Sequence, residues 1–453
     1  MADPIHGQPN KPPQRIPQPG DYENLSLATR TIHADDPINY NIDVAPPLHV
    51  STTYRYNHDP TKLDPSRELE LGDLHPPGGP MLGDAHIYSR LTAPNTSRLE
   101  LMLTSIIGHP CLTYSSGLSA FHALLVWLKP RVIAIGEGYH GCHGVLGIYQ
   151  KLTQCKIVNL FDEISWDEAG LGKGDVVHLE TPVNPTGLAF DIEKFAAAAK
   201  KRGAYLTVDA TFAPPPLLDP FQWGADFVMH SGTKYFGGHS DMLCGVVAIG
   251  RQQGRERENW EKHYWGMYSE RVFLGSVMGS LEGWLGVRSL RTLELRVLRQ
   301  SANAEKLVRW LNGVVEGVEE QTTEKTTGEK SDDEKRTKAV QKVISKVLHA
   351  SLQSPSDMNS WLKKQMPHGF GPVFSIRTKH ELLARHLPSK LKLFHHATSL
   401  GGVESLIEWR KMSDAKVEGT LLRVSVGVEN WEDLKEDFLR GCGELVGDGE
   451  LWA

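Results

Sequence analysis

At 453 residues the chain is long enough to bury one large core and a smaller one, so its length predicts two domains. With 49 Lys+Arg against 55 Asp+Glu, the net charge of −6 implies no basic face and argues against a nucleic-acid partner. No apolar run approaches the roughly 20 residues of a membrane-spanning helix, and Cys111, Cys142, Cys155, Cys244 and Cys442 lack the paired spacing of a disulfide framework or zinc site. The expectation is a reduced, cytoplasmic protein without metal or membrane span.

In chain order, the Pro/Gln-rich MADPIHGQPNKPPQRIPQPG lacks the apolar core of a secretory signal and predicts a disordered lead. Residues up to 80, with extended APPLHVSTTYRY and the loop HPPGGP, read as an arm, so 1–80 is lead plus arm and a large domain follows over 81–295. The spacing of Leu99, Leu101, Leu103 and Ile106 predicts a helix with Ser97 as its cap. Tyr88 and Arg90 precede it on an extended segment. Arginine suits a phosphate clamped by two parallel hydrogen bonds, although a surface ion pair would employ Arg90 equally well.

LTYSSGLSAFHALLVWL reads as strand, turn and helix, with an apolar stripe of Phe121, Leu124, Leu125 and Leu128. Its head, Ser115-Ser116-Gly117, offers free N–H groups to an anion, or simply caps the helix. The next strand runs into Gly136-Glu137-Gly138-Tyr139-His140-Gly141, which fits G-x-G-x-x-G, with Asp162 about twenty residues on, as a dinucleotide fold requires. Against that reading, His140, Cys142 and His143 crowd the place where small residues should meet the sheet, and they are too bunched for a metal site. Tyr139 could instead stack on a flat cofactor, or be an ordinary half-buried tyrosine.

GDVVHLETPVNPTG is a strand ending near Glu180 and Asn184. The helix FDIEKFAAAAKKRG, closed by Gly203, leads to the strand AYLTVDATF with Asp209 at its end. ADFVMH then delivers Ser231, Gly232, Thr233 and Lys234. A lysine at a strand end, among hydroxyls and a Gly-rich turn, can be partly desolvated into a neutral amine that attacks a carbonyl such as that of pyridoxal phosphate (PLP); otherwise it is a solvated turn lysine. Strands alternating with helices predict a mostly parallel sheet, with Asn184, Asp209 and Lys234 converging beyond its carboxyl edge. From about 256 the pattern is helical, and VISKVLHASL, FGPVFSIRT and LLRVSVGVE predict strands of an α+β domain over 296–453. Residues 317–339, charged and Thr-rich, predict a mobile insertion. Arg423, amid apolar neighbours, needs either a carboxylate ligand or a structural Asp or Glu.

With YSRLTAPNTSRLE, YSSGLSA, GYHG, LETPVNPTG, VDATFAPP, HSGTKYFGGHSDMLCG, SLGGVESL and LLRVSVGVEN in this order, roughly residues 28–440 resemble the Cys/Met-metabolism (transsulfuration) family of PLP enzymes. The resemblance implies an α/β, aspartate-aminotransferase-like fold (PLP fold type I) with a large, mostly parallel-sheet cofactor domain and a smaller α+β domain. It makes the glycine motif the turn that carries Tyr139. Lys234 then resembles the lysine that holds the cofactor and moves protons at Cα and Cβ, and Asp209 the partner of the pyridinium nitrogen. Tyr139 resembles the residue stacked on the ring, and Asn184 the residue facing its 3-oxygen. Gly117, Leu118, Ser231 and Thr233 are similar to the phosphate cradle, completed by Tyr88 and Arg90 from a neighbouring subunit, which implies a dimer or tetramer with shared sites. Ser399 and Arg423 resemble the holders of the substrate α-carboxylate.

The chain also departs from the family. Ala93-Pro94-Asn95 alters a local turn, Ala210 stands where Asn is common, Thr398 stands where Glu or Tyr is common, and Trp409-Arg410-Lys411 replaces His-Pro-Ala. An uncharged Thr398 leaves a roomier distal pocket, so the expectation is γ-replacement on an O-acylhomoserine, as in cystathionine γ-synthase. Elimination by a cystathionine β- or γ-lyase, or replacement by another nucleophile, is the alternative. Outside this class stand an NAD-dependent oxidoreductase and a catalytically silent interaction protein.

Overall fold

Short apolar runs form the seven strands of the larger sheet: β1 (Cys111–Tyr114), β2 (Val132–Ile135), β3 (Lys156–Asn159), β4 (Val176–Glu180), β5 (Tyr205–Asp209), β6 (Phe227–Ser231) and β7 (Gly245–Ile249). Their order is β1-β7-β6-β5-β4-β2-β3. Only β7 runs against its neighbours, β1 and β6. The inner strands carry Val, Ile, Leu and Ala on both faces because helices cover both sides. The computed structural model describes residues 24–38, 43–63, 86–251, 258–317 and 329–447. The lead, HPPGGP and part of the arm lie outside these.

The helices follow local chemistry. α1 (Leu27–His33) is capped by Ser26. α3 (Gly117–Leu128) is capped by Ser116, and α4 (His140–Thr153) begins directly after Tyr139. α5 (Glu163–Ala169) is capped by Asp162, so the acidic residue that completed the dinucleotide pattern holds the first turn of a helix. α6 (Ile192–Arg202) starts at Asp191 and ends, as the sequence predicts, on Gly203 at φ +71°.

Two expectations need correction. The helix α2 (Pro94–Ile107) begins three residues before Ser97, which therefore lies inside it; Pro94, with φ already helical and no N–H to satisfy, opens it instead. Asn95 on its first turn accepts from the His49 N–H at 2.8 Å and donates to the Pro47 carbonyl at 2.9 Å, so the altered turn ties down the arm. Further anchors are the Trp284 indole N–H, which donates to the Pro46 carbonyl at 2.8 Å, Arg98, which donates to Asp35 at 2.7 Å, and an isolated bridge from Thr53 to Tyr88. The second correction concerns the expected mobile insertion at 317–339. Gly317 caps the preceding helix and residues 318–328 lie outside the described residues, but 329–339 belong to the helix α10 (Glu329–Val343). Ala339, Val340 and Val343 are buried in the smaller core, a contribution hidden by the polar sequence before them.

α7 (Glu258–Leu274) and α8 (Ser280–Leu290) lead into the 24-residue α9 (Leu293–Glu316). The first turns of α9 bury Leu293 and Val297 in the large core, and its later turns bury Leu307, Val308 and Leu311 in the small one. The expected boundary at 295/296 thus falls inside one continuous helix. The small domain has a five-stranded sheet ordered β10-β11-β12-β9-β8, made of β8 (Ile344–Leu348), β9 (Val373–Thr378), β10 (His395–His396), β11 (Leu406–Trp409) and β12 (Leu421–Ser425). α11 (Glu381–Lys390) packs against it, and α12 (Trp431–Gly447) packs on α9, α10 and α11.

Candidate active site

β6 ends at Ser231, and the chain turns tightly over Gly232 and Thr233 to Lys234, whose N–H bonds back to the Ser231 carbonyl at 3.0 Å. Thr233 pins this turn to the start of β7 through its backbone N–H and its hydroxyl, both on Cys244. The Lys234 amine donates to the Ser399 hydroxyl at 2.9 Å. Burial, helped by the charge of Arg423 and opposed by Glu408, lowers the lysine from 10.5 to about 8. The sequence reading of a desolvated lysine at a strand end therefore has its geometry, and the strand end alone would not have revealed Ser399 as its partner.

Asp209 closes β5 beside Glu180, its register partner on β4. Asp209 accepts from the Thr211 N–H at 2.9 Å and the Thr211 hydroxyl at 2.5 Å, and burial pushes its carboxyl up. Among the described residues no cation pairs with it. Glu180 accepts the backbone N–H of Tyr139 at 2.8 Å and of Asn184 at 2.7 Å; burial first, then the charge of Asp209, push it up to about 8. It thereby fixes two of the expected site residues.

The glycine motif serves the same turn. A Cβ on Gly138 would lie 2.4 Å from a Glu180 oxygen. One on Gly141 would lie 2.5 Å from the Tyr139 ring and 3.0 Å from Leu118. These spacings are dictated by close approach to a tyrosine and a carboxylate, which accounts for the dinucleotide-like pattern. Tyr139 keeps 37% of its surface exposed, and its ring tilts against His140 at 5.0 Å. Gly117, at the N-terminus of α3, approaches Ser231 so closely that a Cβ would sit 3.0 Å from that serine's own. Gly117 thus meets Ser231 at the N-terminus of α3, and Leu118 in the next position lies beside Tyr139 across Gly141.

Arg423, buried on β12, joins the two domains. It donates to the Asn184 side-chain oxygen at 3.1 Å, to the Ser399 carbonyl at 2.8 Å and to Glu408 at 2.6 Å. Burial lowers it to about 10. Ser399 adopts φ +82°, a left-handed conformation unusual for serine, which places its carbonyl on Arg423 and its hydroxyl on Lys234. Thr398 before it is exposed. Tyr88 and Arg90 are not in contact with this group: Arg90 reaches the Val272 carbonyl at 3.4 Å on α7, with the Tyr88 ring 5.4 Å away.

Sequence reasoning missed Glu408. It faces Arg423 in the β11/β12 register and also accepts from Arg410 at 2.7 Å. Burial opposes its ionisation, yet the two arginines hold it below the usual carboxylate range. A glutamate inside the apolar run SLIEW carried the same signal that singled out Arg423, a charge among apolar neighbours.

Comparisons with known proteins bear on this arrangement. The family model described as Cys/Met metabolism PLP-dependent enzyme matches residues 28–322 and 337–442. The cystathionine beta-lyase of Lactococcus lactis subsp. cremoris (strain MG1363) is 30% identical, over 91% of this chain and 98% of its own. The cystathionine gamma-synthase of Escherichia coli (strain K12) is 29% identical, over 88% and 92%. Among solved structures, that of metB from Corynebacterium glutamicum superposes with a TM-score of 0.75 at 26% identity, covering 94% of this chain and 99% of the other.

Proposed function

The chain belongs to the Cys/Met-metabolism family of PLP-dependent enzymes and has their aspartate-aminotransferase-like fold; from that premise we propose that it catalyses γ-replacement on an O-acylated homoserine. The residues present fit the cofactor. A buried carboxylate at Asp209 with no cation among its described partners suits a pyridinium N–H, and a half-buried amine lowered to about 8 suits an aldehyde. The N-terminus of α3, where Gly117 meets Ser231, suits a phosphate.

When bound, PLP supplies an electron sink for a carbanion at the substrate Cα. Lys234 would hold the cofactor and, once the substrate amine displaces it, carry protons at Cα and Cβ. Asp209 would keep the ring nitrogen protonated, through a charge-assisted bond worth about 1.5–3 kcal/mol. Tyr139 would cover the ring face, and Gly117, Leu118, Ser231 and Thr233 would bind the phosphate. The oxygen of Asn184 is engaged by Arg423, which leaves its amide NH2 to donate toward the 3-oxygen. Arg423 and Ser399 would take the α-carboxylate. Tyr88 and Arg90, held against α7, would serve the phosphate of a second copy, so we assign the protein a dimer or tetramer with shared sites. Sedimentation tests this, and a competent monomer would refute it.

Lys234 bonded to Ser399, itself bonded to Arg423, is the observation that carries the reading, because a proton carrier and a carboxylate holder would have to lie side by side in this way. The reaction type rests on Thr398, small, uncharged and exposed next to Ser399, since it would offer no carboxylate to the distal ammonium of cystathionine. The relatives bear names from both lyases and synthases and so do not discriminate. O-acetyl-, O-succinyl- and O-phosphohomoserine, each with and without cysteine and read by mass spectrometry, test the proposal. Efficient pyruvate release from cystathionine with the esters untouched would place the enzyme among the β-lyases instead.

A further inference from the structure

Three buried charges stand in a row at the small-domain wall of the site. Arg423, Glu408 and Arg410 each keep 5% or less of their side-chain surface exposed, and both arginines donate to the same Glu408 oxygen, at 2.6 and 2.7 Å. Arg410 is fixed by its backbone, because its carbonyl accepts from the N–H groups of Ser413 and Asp414 at 3.2 and 3.0 Å. Its Nε is buried with no hydrogen-bond partner. It follows Trp409, where the strand ends and a 3₁₀ turn begins, so its position does not depend on a mobile loop.

Charge counting shows what Arg410 changes. Glu408 and Arg423 alone would be a closed ion pair, and a carboxylate brought to Arg423 would make the buried group net negative, which is costly in a desolvated place. With Arg410 the trio is net positive by one, and a single carboxylate neutralises it. We infer that Arg410 is a positioning residue for substrate recognition: by holding half of Glu408, it leaves the Arg423 guanidinium with an uncompensated charge for the α-carboxylate of the amino-acid substrate. The inference rests on the assignment of Arg423 above. Its cation is also felt at the Tyr139 phenol and at Glu180, which places it toward the same cleft.

The test uses the PLP-loaded enzyme and unreactive ligands, so it does not depend on which reaction is catalysed. L-norvaline and n-butylamine differ by the carboxylate, and each is titrated through its effect on the cofactor absorbance. Arg410→Met should weaken norvaline by roughly tenfold or more, the scale of one lost charge-assisted contact, while shifting butylamine much less. Arg410→Lys should stay near wild type. The decisive variant is the double change Glu408→Gln with Arg410→Met: with no carboxylate left to compete for Arg423, norvaline affinity should return to within a few fold of wild type. A purely structural Arg410 predicts a double variant at least as poor as the single one, and that result overturns the inference. So does an Arg410→Met enzyme whose norvaline to butylamine ratio is unchanged. Absence of any lysine-linked cofactor band in the wild-type protein would instead refute the reading of the whole site.

Discussion

Replacing Lys234 by methionine should stabilise the cofactor-free protein at pH 7. The amine is half-buried and lowered from 10.5 to about 8, so in the folded, protonated state it bears a desolvation cost that the unfolded chain does not. At about 1.36 kcal/mol per pH unit, the difference amounts to about 3 kcal/mol. The hydrogen bond to Ser399, about 1 kcal/mol, is lost in the variant, leaving a net gain of about 2 kcal/mol. The pH dependence has a definite sign. Between about 8 and 10.5 the unfolded chain still holds a proton that the folded chain has released, so wild-type stability contributed by this group rises with pH through that window. The advantage of Lys234→Met should therefore shrink from pH 8 upward and reverse by about 1 kcal/mol once both states are neutral. Urea unfolding of both proteins at one protein concentration, at pH 7, 8, 9 and 10, isolates the lysine, because every other titrating group is common to the pair. A variant less stable than wild type at pH 7, or a difference that does not change with pH, would falsify the desolvation argument and the activated amine with it.

Asp209→Asn should weaken PLP by about fivefold to tenfold, because the charge-assisted bond to the ring nitrogen becomes a neutral one; fluorescence titration of the cofactor measures it. Gly141→Ala puts a methyl 2.5 Å from the Tyr139 ring, so the ring must leave its place. The expected result is impaired cofactor binding with the unfolding midpoint of the cofactor-free protein little changed; unimpaired binding would show that the Tyr139 position does not matter. Glu100→Gln removes the charge facing buried Arg271 while two further donors from Thr113 still point at the same oxygen, and should cost about 3–5 kcal/mol by denaturant unfolding. Asn95→Ala releases Pro47 and His49 from α2, and proteolysis within 43–63 should accelerate while the rest of the chain resists.

What the sequence determined by itself is what local periodicity and ordered motifs can express. Short apolar runs located β4, β5 and β6, and their ends located Asn184, Asp209 and Lys234, because a buried parallel strand needs apolar residues on both faces and exposes chemistry only where it stops. The eight motifs identified the family, and Gly203 closed a helix through interactions that span a single turn. Pattern was weaker where a segment draws its stability from elsewhere. α10 looks like solvated chain because a few buried residues at its end do the packing, and Ser97 looks like a cap because it stands just before the leucine stripe, although Pro94 three residues earlier already opens the helix. Only the tertiary structure decided which groups face one another. Asn184 and Arg423 are 239 positions apart, and Lys234 and Ser399 are 165 apart; their meeting depends on α9 passing through both cores and setting one sheet against the other. Glu408 reaches Arg423 because β11 and β12 pair in one register, and a slip of one residue would turn it to the opposite face. The charge balance of the trio Arg423, Glu408 and Arg410 is therefore a property of strand register rather than of any motif.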